Sequence, residues 1–478
     1  MTVGQDIALW TQDARSLAGA IAAREVTVTE VVTAHLERIS DIDPVVGAFT
    51  SVLAEQALAA AAAADRSEPI GPLHGVPFTV KNNLDVVGTP TTWGVGAFAN
   101  ADPAADAPTV AALRRAGAIA IGRTNMPDFA TRWHTDNDAA GPTINPWDAS
   151  RSPGGSSGGD AVAVATGMTP LGLGTDFGGS LRVPAAFCGV TSLRTTPGRV
   201  AVASSLPGPA PAPTNQMFAA PGPLARSVRD LSFAFDVMVD ADVRDPAWIP
   251  AHDLTDSPGA PLPAVAVAVD GGGDTVDPQV RAAVLSAADA LARAGYPVVE
   301  VAPPQLAQTA SAYGRLVSTE VVIQRLETMR RLGSAGLNAF LEAALELFPP
   351  LDLAGYMDGL AERLTLRTTW SRFLAEYPIV LGPVSAALPW PVGYDLGGTA
   401  HVAAMYAAHR LTIAANYLAL PAVTVPAALS EEGLPVGVQL ITAPFCERRG
   451  LAAAAVVEDG FRIGTPIDPR RGDRPVTA

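Results

Sequence analysis

Two segments decide how this chain is interpreted: Pro153-Gly154-Gly155-Ser156-Ser157-Gly158-Gly159-Asp160 and Gly174-Thr175-Asp176-Phe177-Gly178-Gly179-Ser180. Each is a glycine-rich loop that carries serine, and a small apolar segment at 161–165 lies between them. A cluster of glycines lets several backbone N–H groups turn toward one point and lets a substrate approach the main chain closely. The apolar segment can bury against a sheet and fix the two loops relative to each other. The pair of loops therefore predicts a site that stabilises developing negative charge.

The composition excludes several functional classes. The 478 residues are 48% hydrophobic and 17% charged, which predicts a globular chain with a large core. A net charge of −15, without basic runs interleaved with aromatic residues, argues against nucleic acid and anionic membranes as partners. Residues 1–6 lack the basic start of a secretory signal, and no apolar run reaches membrane-spanning length. We therefore expect a cytoplasmic protein.

The two cysteines, Cys188 and Cys446, are too few for a disulfide framework or a zinc cluster. Both lie among small or apolar neighbours, so we expect buried free thiols. No cluster of histidine, cysteine and carboxylate residues suggests a metal site, and we expect neither a metal nor another cofactor.

Along the chain, helical and strand patterns alternate as in α/β enzymes. Helices are predicted over 6–26, from Thr27 to a stop at Pro44, and over 54–64, 108–116, 224–240, 278–294, most of 306–376, and 400–418. Strands are predicted within 74–83 and over 118–121, 264–269, 297–301, 379–383, 422–426 and 436–441. The proline-rich stretch 204–223 is expected to be irregular, and residues 132–137 form either a pocket wall or a surface loop.

No internal repeat or linker divides the chain, so we expect one domain over 1–478. Its parts are N-terminal helices at 1–64, a core at 65–200 and a variable helical cover at 306–400 that shapes the pocket. The tail after residue 467 is polar and expected to be mobile.

The residues that flank the serine loops argue against other kinds of catalytic or nucleotide-binding site. Residues 154–158 match the G-x-S-x-G elbow of α/β-hydrolases, but the proline-flanked stretch before them cannot be a central strand. The downstream histidines His252, His401 and His409 lack loop or glycine-rich surroundings suited to a catalytic triad. Neither the phosphate-loop nor the dinucleotide fingerprint is complete. What remains is serine chemistry with a lysine as base. Lys81 taken alone would usually be a solvated strand end.

At this point the chain resembles the amidase signature family. The resemblance is carried by the sequence around Lys81 (75–82), by Gly122-Arg123-Thr124-Asn125-Met126-Pro127, by Asn145-Pro146-Trp147, by both serine loops and by Arg182-Val183-Pro184-Ala185. It continues more weakly through 420–422 and 433–439. It implies a mixed α/β fold, a central sheet covered by helices on both faces, and hydrolysis of amide bonds.

The resemblance also implies roles for individual residues. Lys81 would be the base, Ser156 the bridging serine after a cis peptide bond, and Ser180 the nucleophile of a Ser-cisSer-Lys triad. The N–H groups of Phe177, Gly178, Gly179 and Ser180 would form the oxyanion hole. Substrate would contact Ala130, Trp133 and Gly155, while Asp176 and Arg182 would fix the loop.

Two positions depart from the family pattern. Residues 193–196 read Leu-Arg-Thr-Thr where the family more often has Lys-Pro-Thr, and His409 aligns with the substrate-binding aspartate of glutamine-hydrolysing amidotransferase subunits. We therefore expect neutral, partly apolar or aromatic amides as substrates, with aryl carbamates and esters as further candidates. A glutaminase subunit and a catalytically silent binding protein remain alternatives. The expected partners are the small-molecule substrate and water, in a monomer or homodimer.

Overall fold

A computed structural model describes residues 8–208, 210–250, 261–272 and 275–470. Within these residues, eleven strands form one mixed sheet in the order β1-β3-β2-β4-β6-β5-β10-β11-β9-β7-β8. The strands are β1 (Phe49–Val52), β2 (Pro77–Lys81), β3 (Ile119–Thr124), β4 (Leu171–Asp176), β5 (Thr191–Arg194), β6 (Ala220–Ala225), β7 (Val265–Val267), β8 (Val298–Glu300), β9 (Ile379–Pro383), β10 (Ala422–Leu429) and β11 (Pro435–Thr442).

Helices cover the sheet and build the outer layers. They are α1 (Ala14–Ala22), α2 (Val28–Val46), α3 (Ala54–Ala64), α4 (Pro108–Arg115), α5 (Gly158–Ala165), α6 (Arg182–Cys188), α7 (Pro213–Phe218), α8 (Val228–Met238), α9 (Pro278–Arg293), α10 (Leu306–Glu320), α11 (Leu326–Leu332), α12 (Ala335–Leu347), α13 (Leu353–Glu376), α14 (Thr399–Ala408), α15 (Arg410–Leu418) and α16 (Glu447–Gly460).

The expected α/β class with a mixed sheet is confirmed, and its topology places the two serine loops near Lys81. Strand β2 lies between β3 and β4 and runs parallel to both. The carboxyl ends of parallel strands meet at one edge of a sheet, which is where open α/β sheets bind ligands. Lys81 is the last residue of β2, and the loop to Ser180 begins directly after β4.

Helices pack on both faces of the sheet. Phe78 and Val80 of β2 join one core with Phe235 of α8 and Leu291 of α9. The other face of this part of the sheet meets α5, whose apolar residues belong to a separate core with Ile119 and Ile121 of β3. Because side chains alternate along a strand, Thr79 and Lys81 face the α5 side.

Helix α2 begins as expected but ends differently. Thr27 and Glu30 form a capping box, in which Thr27 Oγ1 accepts from the Glu30 amide at 3.1 Å and Glu30 accepts from the Thr27 amide at 2.8 Å. The predicted stop at Pro44 is wrong, because the helix continues through Pro44 to Val46. It ends at Gly47, whose φ of 58° gives the left-handed C-terminal residue that favours glycine.

Other boundaries also needed correction. Within the expected irregular stretch 204–223 the structure has α7 and most of β6, a strand that accommodates Pro221 and Pro223. The predicted helix 6–26 is a 3-10 turn, Leu9–Thr11, followed by the shorter α1, with its first two residues outside the described range. The predicted helix 400–418 divides into α14 and α15 at His409. Residues 161–165 bury against the sheet as part of α5.

The expected burial of both cysteines is confirmed: Cys188 and Cys446 are buried, and neither forms a disulfide. In the described part of the chain, no helix has the length and apolar character needed to cross a bilayer, and no group of three or more potential ligands suits a metal ion. His252 and most of the tail after residue 467 lie outside the described residues.

Candidate active site

Lys81 is buried at the end of β2 and is hydrogen-bonded to the first serine loop. Its Nζ lies 2.8 Å from Ser156 Oγ and 3.1 Å from Thr175 Oγ1. The peptide bond between Gly155 and Ser156 is cis. The Thr175 hydroxyl also accepts from Asn83 Nδ2 at 2.9 Å. The interpretation of Lys81 as a solvated strand end is therefore wrong, since its side chain is closed to solvent and aimed at Ser156.

The two serine loops are joined directly. The amide of Ser157, the residue after Ser156, donates to the carbonyl of Ser180 at 3.1 Å. The Ser157 hydroxyl donates to the Thr175 carbonyl at 3.3 Å. Ser180 itself is 7% exposed, compared with 1% for Ser156. The structure thus brings Lys81, Ser156 and Ser180 to one edge of the sheet.

Some backbone N–H groups of the second serine loop donate hydrogen bonds within the protein, and others have no acceptor in the described part of the chain. The Gly179 amide donates to Asp176 Oδ1 at 2.9 Å. The Phe177, Gly178 and Ser180 amides donate to no other group within the described residues. For the expected oxyanion hole these three amides are therefore available, whereas the Gly179 amide is already engaged.

Asp176 holds this loop in shape. Its carboxylate accepts from Arg182 Nε at 3.0 Å and from Asn416 Nδ2 at 2.8 Å, and Arg194 lies 3.6 Å away. Burial alone would raise the pKa of Asp176, but the two guanidinium groups and these hydrogen bonds hold it well below its usual range. A buried, ionised and fully hydrogen-bonded carboxylate fits the loop-fixing role expected for Asp176 and Arg182.

The environment of Lys81 favours its neutral form. Burial lowers the pKa of the Lys81 ammonium from 10.5 to about 7, although the carboxyl groups of Asp160 and Asp176 oppose the shift. A lysine that is neutral near pH 7 can accept a proton. The site thus contains a usable base hydrogen-bonded to a hydroxyl group.

Trp133 forms a wall beside the second serine loop. Its Nε1 donates to the Gly178 carbonyl at 2.8 Å. Most of the segment 132–137 is buried, so the surface-loop alternative for it is wrong. Gly155 packs against this segment, where an added Cβ would lie 2.6 Å from the Arg132 carbonyl oxygen and 2.9 Å from the His134 nitrogen. Ala130 lies upstream in the 3-10 turn Asp128–Ala130, and no hydrogen bond links it to the serine loops among the described residues.

Further rings surround Trp133. The ring centroid of His409 lies 4.7 Å from that of Trp133, and that of Tyr406 lies 4.9 Å away. His409 is fully buried, and neither ring nitrogen has a hydrogen-bond partner in the described protein. Burial and the nearby Arg182 lower the pKa of His409 to about 3, so the ring is neutral. The wall beside the second serine loop is aromatic and carries no charge.

Sequence reasoning missed two features of this site. Lys81 is the only lysine among the 32 lysine and arginine residues, and a count of residue types would have singled it out. Asp160, at the start of α5, lies fully buried on the same side of the sheet as Lys81. A carboxylate in the first turn of a helix usually indicates a capping role, so no pattern in the chain indicated this placement.

Comparison with known proteins shows the family of this chain. The family model Amidase matches residues 30–451. This chain belongs to the amidase signature family. It is 36% identical over 456 residues to an indoleacetamide hydrolase of Bradyrhizobium diazoefficiens, covering 94% of this chain and 87% of that protein. It is 34% identical to a subunit of the glutamyl-tRNA(Gln) amidotransferase of Nitratidesulfovibrio vulgaris, covering 97% of this chain and 100% of that subunit.

Solved structures of this family share the fold. A 6-aminohexanoate cyclic dimer hydrolase superposes with a TM-score of 0.83 at 26% identity, covering 97% of this chain and 99% of that one. A bacterial aryl acylamidase of the amidase signature family superposes with a TM-score of 0.81 at 25% identity, covering 96% and 97%. The protein is therefore an amidase signature enzyme that hydrolyses carbon–nitrogen amide bonds.

Proposed function

We propose that this amidase hydrolyses neutral amides with an aromatic or apolar acyl group, through an acyl-enzyme on Ser180, with Ser156 as proton relay and Lys81 as base. The observation that carries the proposal is the buried 2.8 Å contact between Ser156 Oγ and Nζ of the one lysine of the chain. Every other basic side chain of the lysine and arginine type is arginine, which cannot release its proton at ordinary pH.

The proposed reaction begins with proton transfer. The Ser180 hydroxyl gives its proton to Ser156 as Ser180 Oγ bonds to the amide carbon, and Ser156 passes its own proton to Lys81 Nζ. The amide oxygen becomes negative and is stabilised by the Gly178 and Ser180 N–H groups. The carbon–nitrogen bond then breaks, and the leaving amine takes the proton back from Lys81 through Ser156. Water attacks the acyl-enzyme by the same relay and releases a carboxylic acid.

The neutral aromatic wall supports the proposed substrate class. A free amino acid carries an ammonium and a carboxylate, and burying either without a partner costs several kcal/mol. At the position expected to meet such an ammonium the chain has the uncharged ring of His409 beside Trp133. Burying an aromatic acyl group against these rings would contribute roughly 1–3 kcal/mol. The relative named indoleacetamide hydrolase also acts on a neutral aromatic amide, which agrees with this choice.

The alternatives predict different behaviour. A glutaminase subunit would hydrolyse glutamine in preference to arylacetamides and would depend on further subunits. A silent binding protein would retain its ligand without turnover. Aryl carbamates and esters follow the same acyl-transfer route, so we include them as secondary substrates.

The test is a comparison of kcat/KM for indole-3-acetamide, phenylacetamide, a phenyl carbamate and glutamine on the purified chain. We expect both arylacetamides to exceed glutamine by at least about tenfold, which corresponds to about 1.4 kcal/mol. Ser180→Ala should lower turnover on the order of 10³-fold or more. Ser67→Ala is the matched control, because Ser67 is exposed and its hydroxyl donates to the nearby Ala64 carbonyl. A preference for glutamine, or an active Ser180→Ala variant, would contradict the proposal.

A further inference from the structure

Asp160 is a buried carboxyl group that the reaction proposed above does not use. It lies in the first turn of α5, four residues after Ser156, and is fully buried. Its Oδ1 accepts from Thr79 Oγ1 at 3.3 Å. Thr79 precedes Lys81 by two residues on β2, so both side chains face the same side of the sheet. The carboxyl group is thus held beneath the strand that presents Lys81.

The neighbouring strand makes room for this carboxyl group. Gly172 of β4 is the register partner of Thr79. A Cβ at Gly172 would lie 3.1 Å from Asp160 Cβ and 3.4 Å from Oδ1. Because glycine has no side chain, α5 approaches closely enough for the Asp160 carboxyl group to reach Thr79. The arrangement is therefore built by three elements, β2, β4 and α5.

The other charged groups near Lys81 and Asp160 already have ion-pair or hydrogen-bond partners. Asp176 on β4 is neutralised by Arg182 and Arg194. Arg123 on β3 favours the ionised form of Asp160, but its guanidinium donates to the Thr89 hydroxyl, the Asn82 side chain and the Leu84 carbonyl.

Asp160 itself has no salt-bridge partner within the described part of the chain. Its Oδ2 has no hydrogen-bond partner among the described residues. The nearby Thr124 hydroxyl opposes the rise that burial causes in the pKa of Asp160. Asp160 is therefore the carboxyl group near Lys81 that is not already committed to an arginine.

We propose that Asp160 is a positioning residue that acts through Lys81, as the counter-charge for the ammonium that forms on Lys81 when Ser180 loses its proton. This inference rests on the proposed triad. The proton moves from Ser180 Oγ to Ser156 Oγ and from Ser156 to Lys81 Nζ, and it returns by the same route to the leaving amine. Asp160 neither gains nor loses a bond. It stabilises a positive charge in a place that water does not reach.

The opposing effects on the two groups agree with this role. Burial lowers the pKa of Lys81, and the Asp160 carboxylate partly restores it. Burial raises the pKa of Asp160, and Lys81 and Arg123 oppose that rise. Lys81 is thereby kept neutral enough to accept a proton yet basic enough to hold it through acylation.

Because the chain has one lysine, the experiment can observe Lys81 alone. Lysine labelled with ¹³C at Cε gives a single resonance, whose pH titration in the Ser180→Ala background reports the Lys81 pKa without turnover. We expect Asp160→Asn to lower that pKa by about one unit or more, a tenfold change. The acid limb of the kcat/KM profile, measured with Ser180 intact, should move to lower pH by the same amount.

Two further variants keep the result interpretable. Asp230→Asn is the matched control, because Asp230 is also a buried carboxyl group, and it accepts hydrogen bonds from the Ala14 and Arg15 amides. This substitution should leave the Lys81 titration unchanged. Thr79→Val removes the hydrogen bond to Asp160 and should lower the Lys81 pKa by less; it decides the question if Asp160→Asn does not fold.

The outcomes separate this inference from the proposed function. An unchanged Lys81 titration in folded Asp160→Asn, or in Thr79→Val if that variant has to decide, would overturn the counter-charge role. A Lys81→Met enzyme with wild-type kcat/KM would overturn the proposed triad, whatever the resonance shows.

Discussion

Of the 32 lysine and arginine residues in this chain all but one are arginine, and the exception is hydrogen-bonded to Ser156. Arginine and lysine serve equally well as exposed positive charges, but only lysine loses its proton readily when buried. The single lysine of the chain therefore lies where the proposed mechanism needs a group that can lose its proton.

A charge-conserving substitution tests this interpretation. Lys81→Arg keeps the positive charge but removes a base that can be neutral, so we expect kcat to fall on the order of 10³-fold or more while the protein stays folded. Steady-state kinetics with indole-3-acetamide measures the loss. Arg462→Lys is the control, because Arg462 is exposed and pairs with the equally exposed Asp459. Activity of Lys81→Arg close to wild type would remove Lys81 from the mechanism.

The pH dependence follows from the same residue. The pKa of Lys81 is lowered to about 7, and the protonated lysine cannot accept a proton. We therefore expect kcat/KM to rise from acid pH through about 7 and then level off. Stopped-assay rates in buffers of constant ionic strength measure the limb. A profile that falls as the pH rises through the Lys81 pKa would have the wrong sign for a lysine base.

For individual residues of the site, the sequence was informative where a motif was present. It was uninformative where the position of a side chain depends on packing between distant segments. Ser156 and Ser180 were predicted because their loops carry distinctive glycine patterns, and Lys81 because the sequence around it resembles the amidase signature family. Asp160 was missed because its position beneath β2 depends on the absence of a side chain at Gly172 of another strand. No spacing within one segment reports such a contact.

Among the elements, β4 and α5 hold the two serine loops together through a close approach. A Cβ at Gly174 would lie 2.7 Å from Ser157 Oγ and 2.8 Å from Leu181 Cδ2. There is accordingly no room for a methyl group between the strand and the first serine loop.

Gly174→Ala should therefore displace the loop and cost about 1–3 kcal/mol of unfolding free energy, with a loss of kcat/KM. Urea denaturation and kinetics measure the two effects. Gly19→Ala supplies the contrast: Gly19 lies within α1 with nothing within 4 Å of an added Cβ, and alanine there should stabilise by about 0.5–1 kcal/mol. Equal effects of the two substitutions would show that the contact at Gly174 has no special importance.

Elements with regular periodicity were predicted well, and those with unusual composition were not. Strand β9 and helix α3 were found with their observed bounds, because apolar runs and alanine propensity are local properties. Strand β6 was missed because Pro221 and Pro223 argue against a strand. It forms because β4 and β5 pair with it on both sides, which is a tertiary effect.

For the molecule as a whole, Asp176 connects parts of the chain that are far apart in sequence. It joins the second serine loop to Arg194 of β5 and Asn416 of α15, and Arg182 extends the network to Gln439 of β11 at 2.8 Å. The helical cover, by contrast, was predicted only as mostly helical, because its packing follows from no motif.

Asp176→Asn should cost about 3–5 kcal/mol, because it leaves two buried guanidinium groups without their carboxylate. The pKa of Asp176 is lower in the folded than in the unfolded chain. Its contribution is therefore complete above the unfolded value of 3.8 and is lost as pH falls through the folded value. Denaturation midpoints at neutral and acid pH measure this. Asp459→Asn, at an exposed pair, should leave the midpoint unchanged, and an unchanged midpoint for Asp176→Asn would contradict the network's role.

Because the one lysine is buried, chemical labelling of its amine can measure unfolding of the chain. An amine-reactive ester does not reach the Lys81 side chain of the native protein, because that side chain is closed to solvent. The unfolded chain offers one amine more. We expect fully denatured samples to acquire one label more than native samples, so that intact-mass spectra taken along a heating curve count unfolded molecules directly, without an optical probe or an engineered tag.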